Sequence, residues 1–191
     1  GRLLSILPAD GSGVKVTYPA LTSVKIADDY GNHIDLTLNG SGQVTTMVDP
    51  DNQAYRYAYN TRGDLEYVSY PDATPGVAGA NPFGEDNPYR QYHYEDANPS
   101  LVTGITDENG DRYKSIVYDT NGRAILSGLS DGSIGRSTFD YTNIYDATDP
   151  RVTVTNELDK STVYHLERHF GVSNVKTVEG VASTNCLADV Q

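Results

Sequence analysis

The sequence predicts an all-β chain of repeated antiparallel β-hairpins forming a curved sheet, with essentially no α-helix. Three observations predict it. The aromatic content is almost all one residue, Tyr 15 against Phe 3 and Trp 0, and it comes with Gly 18 in a chain of 191 residues. Tyrosine favours strands and glycine favours turns. Apolar and aromatic residues alternate with period two, and a four-residue turn signature keeps returning between the alternating stretches.

Taken in order, Val14, Val16 and Tyr18 share one face of the first clear strand. The first corner is Asp28-Asp29-Tyr30-Gly31, followed by Asn39-Gly40-Ser41-Gly42, Asp49-Pro50-Asp51-Asn52 and Asn60-Thr61-Arg62-Gly63. Their first residues lie 11, 10 and 11 apart. An Asp or Asn side chain accepts from backbone amides further along the turn, and Gly or Asn supplies the positive φ that closes it, so each signature marks a hairpin corner. Tyr55, Tyr57 and Tyr59 line one face of the strand before the last of these corners.

Residues 75–88 are rich in Gly, Pro and Asn and read as a long loop between two strand blocks, 1–74 and 89–191, of one continuous array. In the second block Tyr92 and Tyr94 alternate, and the corners return as Asp107-Glu108-Asn109-Gly110 and Asp119-Thr120-Asn121-Gly122, 12 apart. Asn156-Glu157-Leu158-Asp159 is a degenerate copy. The segment from Lys160 to Phe170 also alternates, which places Tyr164, Leu166 and Phe170 on one strand face. The implied unit is two strands of about 21 to 24 residues together.

Lys+Arg 14 against Asp+Glu 26 gives a net charge of -12, which repels phosphate backbones and makes nucleic acid an unsuitable partner. No apolar run reaches the roughly 20 residues of a membrane-spanning helix, and the N-terminus lacks a signal-peptide pattern. The lone Cys186 has no partner for an internal disulfide.

Several short motifs invite a chemical reading and receive a local one. Gly128-Leu129-Ser130-Asp131-Gly132 fits the nucleophile-elbow pattern, but that motif needs a helix after it, and here the next strand follows. Arg62-Gly63-Asp64 spells an adhesion tripeptide, yet its residues belong to the turn signature. Asp107, Asn109 and Asp111 have the spacing of an oxygen-ligand loop, but Arg112 stands where glycine is required and Tyr118 where glutamate is. His33, His93, His165 and His169 are scattered, and the last two lie about 13 Å apart along a strand, too far for one metal ion. Asn39-Gly40-Ser41 is formally a glycosylation acceptor inside a corner. The tyrosine rows have two readings. One is a packing ladder whose hydroxyls reach neighbouring turns; the other is a stacking platform for sugar rings, with Tyr57 and Tyr94 exposed. No catalytic residue, cofactor site or metal site is expected.

Tyr118-Asp119-Thr120-Asn121-Gly122-Arg123 resembles the core of the tyrosine/aspartate (YD) repeat found in RHS proteins, teneurins and the shell subunits of Tc toxins. Tyr59-Asn60-Thr61-Arg62-Gly63-Asp64-Leu65 is a drifted copy, and Tyr59 and Tyr118 are the signature aromatics. The run from Tyr92 to Asp96 and then from Leu101 to Gly110 is similar to the bacterial RHS branch in particular. The resemblance is loose over Gly1 to Lys25 and after Gly171. It implies a spiral of antiparallel strands walling a hollow shell around a C-terminal toxin, secreted or held at a bacterial cell surface. Gly1-Arg2-Leu3 matches the back half of a YD core, so the chain reads as a fragment that starts inside a repeat. Asp49-Pro50 and Asp149-Pro150 are too isolated to form the family's self-cleaving aspartate motif. The partners implied are further shell segments, the toxin cargo, or a second copy joined through sheet edges. The alternative function is a cell-surface carbohydrate- or receptor-binding repeat module.

Overall fold

Alternation along the chain becomes strands, and the Asx-Gly corners become the bends between them. A computed structural model describes residues 2–6, 13–71, 81–84, 86–182 and the backbone of 189–190. Cys186 and residues 75–80 and 85 of the expected loop lie outside the described residues. The chain divides into two units, Gly1–Tyr92 and His93–Gln191. Among the described residues there is no helix, and every strand pairing is antiparallel.

The first unit holds β1 (Ser5–Ile6), β2 (Val14–Ala20), β3 (Ser23–Asp28), β4 (His33–Leu38), β5 (Val44–Val48), β6 (Ala54–Tyr59), β7 (Leu65–Ser69) and β8 (Tyr89–His93), whose last residue belongs to the second unit. Each strand of this unit pairs with the next in the chain. Cross-strand partners point to the same side of a sheet, so register sorts the side chains. Val16, Ile26 and Ile34 stand in one row, and Val24, Leu36, Met47 and Tyr55 in the next. The opposite side carries Lys25 against Asp35, and a row of Thr37, Thr46, Arg56 and Ser69. One face is therefore apolar and the other polar.

The second unit continues with β9 (Gly104–Thr106), β10 (Arg112–Tyr118), β11 (Ala124–Leu129), β12 (Ile134–Asp140), β13 (Arg151–Asn156), β14 (Ser161–His169), β15 (Val172–Gly180) and β16 (Asp189–Val190). Its strands also pair in chain order. The same sorting returns. Val152, Tyr164 and Val178 form one row, with Phe139–Val154 and Leu166–Val175 beside it, while Arg151, His165 and Thr177 stand on the other side.

Neither unit builds a thick core. Among the described residues the buried hydrophobic side chains are Val16 and Val68, whereas Leu21, Tyr145, Leu158 and Phe170 are exposed. Buried polar residues outnumber these two, with Ser69, Asn81, Thr103 and Ser115 all below one-tenth exposure. Each unit is thus an amphipathic layer whose strands are mostly half-buried.

Two placements expected from alternation are corrected. Phe170 leaves the β14 face and sits in the β14–β15 turn at φ 52°, with Gly171 at φ 84° behind it, because two consecutive left-handed residues make a two-residue hairpin there. Its ring is fully exposed. Tyr94 lies beyond the end of β8, where the chain turns away and Thr103 N donates to His93 O at 2.8 Å. Residues 96–100 there form successive Asx turns, Asn98 N donating to Asp96 Oδ1 and Ser100 N to Asn98 Oδ1.

Candidate functional site

The recurring site is the corner, and all copies share one hydrogen-bond plan. In Asn60–Gly63 the side-chain Oδ1 of Asn60 accepts from the backbone amides of Arg62 at 2.9 Å and Asp64 at 3.0 Å. Gly63 N donates to Asn60 O, and Asn60 N donates to Asp64 O. The fourth position takes a positive φ, 91° at Gly63, which closes a type I turn into a bulged hairpin. The same contacts are made by Asn39 with Gly42, Asp49 with Asn52, Asp107 with Gly110 and Asp119 with Gly122, and Asp28 repeats the two side-chain contacts, on the Tyr30 and Asn32 amides, with Gly31 at φ 95°. Asn156 makes the full set as well, although Asp159 takes the glycine position at φ 57°. Where the corner begins with Asp119, the amide and side-chain donors of Arg123 hold its carboxyl below the usual aspartate range.

The signature tyrosines fasten the two corners they precede to backbone carbonyls earlier in the chain. Tyr59 Oη donates to Val44 O at 2.7 Å, and Tyr118 Oη donates to Val102 O at 2.7 Å. Tyr18 Oη reaches Leu3 O at 3.1 Å with the same spacing. Burial lifts the Tyr59 and Tyr118 phenols above their ordinary range. A second tie joins two corners directly, since Asn39 Nδ2 donates to Gln43 Oε1 and Gln43 Nε2 donates to Gly63 O at 2.7 Å.

The short motifs resolve at the same level. The two glycines of Gly128–Gly132 press together: a side chain on Gly128 would meet the Gly132 backbone at 2.8 Å. That contact accounts for the spaced glycines of the elbow-like pattern, and Ser130 sits at φ 52° in a strand-to-strand turn. In Arg62-Gly63-Asp64 the guanidinium and carboxylate bind each other, Nε to Oδ2 at 3.0 Å and Nη2 to Oδ2 at 2.9 Å. Asp107 of the calcium-like run uses Oδ1 on the Asn109 and Asp111 amides. Asn39 of the acceptor sequon is held through both side-chain atoms. Among the described residues no group of three or more His, Cys, Asp or Glu is arranged to hold a metal ion.

Sequence reasoning missed a denser cluster in the second unit. Arg112, first residue of β10, donates through Nη1 and Nη2 to the two carboxylate oxygens of Glu95 at 2.8 and 2.7 Å, through Nη2 to Thr103 O, and through Nε to Ser115 Oγ. Ser115 Oγ in turn donates a hydrogen bond to Ser130 O at 2.5 Å. Glu95 also takes the Thr103 hydroxyl at 3.1 Å. The Arg112 guanidinium holds the Glu95 carboxyl down to about 2, and Glu95 in turn raises Arg112. The guanidinium lies against Gly104, where any side chain would collide with its Nη2, Cζ and Nε atoms. This cluster floors an open cavity of about 410 Å³ that Asp96, Ile116 and Asp131 also line.

Chemically the cluster is saturated. Arg112 has engaged four of its donor directions, so it offers little to an anion. Ser115 donates to a carbonyl and faces a guanidinium, which activates no nucleophile. His93 bonds Thr106 Oγ1 at 2.7 Å but stands 4.0 Å from Glu95. The one sequence signal pointing here is Gly104, a glycine inside a strand pattern, which marks close approach by another group. Compared with known proteins, no family model matches the chain, and no curated protein matches it in sequence.

Proposed function

We propose that this chain is a structural length of antiparallel wall, built of YD-type repeats, in an RHS-type shell that encloses a C-terminal toxin and helps deliver it at or beyond a bacterial cell surface. The observation that carries this reading is the coincidence of two devices. Seven corners share one Asx hydrogen-bond plan, and the tyrosine just before two of them, Tyr59 or Tyr118, ties its strand end to a carbonyl 15 or 16 residues earlier. A unit that repeats one corner plan and fastens some corners to backbone earlier in the chain propagates a sheet and needs no active site. The tyrosine rows also find protein partners: Tyr55 packs edge-on against Tyr70 with centroids 6.3 Å apart, and Tyr67 Oη accepts from Gln91 Nε2.

The test is protection of cargo. In the parent reading frame, whatever domain follows the repeats should resist protease while the repeats are intact. It should become sensitive when corner glycines such as Gly63 and Gly122 are replaced together by valine. A following domain digested equally fast with and without intact repeats refutes the wall reading. Turnover of esters, peptides or glycans by the purified chain, lost on mutating one named residue, refutes it independently.

A further inference from the structure

The segment between β12 and β13 is not a repeat corner, and it frames a cleft of different chemistry. It is hydrogen-bonded into one shape: Thr142 N and Oγ1 both donate to Asp140 Oδ1 at 2.8 and 2.6 Å, Thr148 N and Oγ1 both donate to Asp146 Oδ1, and Arg151 N donates to Asn143 O. Between this segment and the Asp119 corner lies a cavity of about 450 Å³. That is the size range of small-molecule sites, and it admits one or two sugar rings.

Its tyrosines behave unlike those of the repeats. Tyr59 and Tyr118 have their hydroxyls tied to carbonyls, whereas Tyr145 is 73% exposed and neither Tyr141 nor Tyr145 makes a hydroxyl bond to a described residue. Each ring is nonetheless held, Tyr141 beneath Arg123 at 4.8 Å and Tyr145 beside Arg168 at 5.5 Å. A large aromatic ring kept at the surface and oriented from one side is a stacking surface in search of a flat, weakly polar partner. The polar groups around it suit hydroxyls. The Asp140 carboxylate has Oδ1 occupied by Thr142, leaving Oδ2 as an acceptor, and the Asn121 carboxamide both donates and accepts from an exposed position.

We propose that this cleft binds an uncharged pyranose ring, stacked on Tyr145 with its hydroxyls shared between Asp140 and Asn121. Hydroxyl groups that donate to a carboxylate and accept from an amide, on a ring with an apolar C–H face, match this combination; an alkyl chain or a planar aromatic leaves the polar groups unused. Anionic sugars are disfavoured. Arg123 is already neutralised by Asp119, through Nε at 2.8 Å and Nη2 at 2.6 Å, and the chain as a whole carries -12. The site borrows Asn121 from one repeat corner, but its stacking ring and its acceptor Asp140 lie outside the repeats, and it does not depend on the wall reading, so either can fail alone.

The test is saturation-transfer NMR on the whole chain with methyl glucoside, methyl galactoside, methyl mannoside, N-acetylglucosamine, lactose and cellobiose, with glucuronic acid and sialyllactose as charged comparisons. At least one neutral sugar should receive transfer at its ring protons, with a dissociation constant on the order of 1 mM. Binding should weaken about tenfold in Tyr145→Ala and separately in Asn121→Ala, with circular dichroism unchanged. Absence of transfer to every neutral sugar at about 10 mM overturns the proposal, as does transfer to charged sugars alone or equal transfer in both variants.

Discussion

Asn60 shows what a corner asks of a single residue: one oxygen accepting two backbone amides, at 2.9 and 3.0 Å. Substituting alanine leaves both amides to solvent. Asn60→Ala should therefore lower unfolding stability by about 1 to 2 kcal/mol in urea titration, while Asn60→Asp, which keeps the acceptor, should cost less than half as much. Tyr118→Phe tests the tie to the Val102 carbonyl and should cost about 1 kcal/mol. Ser69 is the opposite case, because its hydroxyl is buried without a hydrogen-bond partner and its residue is 1% exposed. Ser69→Ala should be neutral or stabilising by up to about 1 kcal/mol, and a loss of more than that in the same titration contradicts this account. The corners were legible in the sequence because the Asx oxygen, the amides it captures and the positive-φ residue all lie within five consecutive positions. Glu95 and Arg112 were not, since they are 17 residues apart and meet only once the Asx turns of 96–100 have folded the chain back.

At the level of elements, two ion clusters join strands whose neighbours are only half-buried, and each gives stability its own dependence on pH. The Glu95 carboxyl is depressed to about 2 from 4.5 by Arg112. A depressed acid contributes above its ordinary value and loses that contribution as pH falls toward the folded one, so the difference in melting temperature between wild type and Glu95→Gln should be full at pH 6 and shrink between about pH 4.5 and 2. His165 has the opposite sign. Its Nδ1 lies 2.6 Å from Asp149 Oδ1 and its Nε2 lies 3.3 Å from Glu179 Oε2. Carboxylates only accept, so both ring nitrogens must carry protons, and Asp149 followed by Glu179 raises the imidazolium above its ordinary 6.5. The Asp149 carboxyl is itself held below its ordinary value, first by His165 and then by Arg151, the cross-strand partner of His165. A raised base contributes fully below 6.5 and loses its contribution as pH rises through the folded value. The stability gap between wild type and His165→Asn should accordingly be largest near pH 6 and smallest near pH 9, as read by thermal circular dichroism. Spacing along one strand sets His165 and His169 apart, but it carried no information on Asp149 or Glu179, which reach His165 from other segments of the chain.

For the molecule as a whole, each unit's layer has a consequence that composition alone hides. The registers align Val24, Leu36, Met47 and Tyr55 in one unit and Val152, Tyr164 and Val178 in the other, yet only Val16 and Val68 are buried hydrophobics among the described residues. A half-covered apolar row is a contact surface, and large ones are unusual on proteins that act alone. Opposing that attraction is a net charge of -12, which keeps copies apart through mutual repulsion. The balance should move with ionic strength, because salt screens the repulsion, with a Debye length of about 30 Å at 0.01 M falling to about 8 Å at 0.15 M, and leaves apolar attraction intact. Light scattering of the purified chain should therefore show larger mean mass at 0.5 M than at 0.01 M salt. Replacing exposed Val175 with lysine, which interrupts the Leu166–Val175 pair, should blunt the increase. If association ran through surface ion pairs instead, mass would fall as salt rises, and the Val175 variant would behave like wild type. A mass independent of both salt and concentration would mean that the apolar rows engage nothing outside the chain.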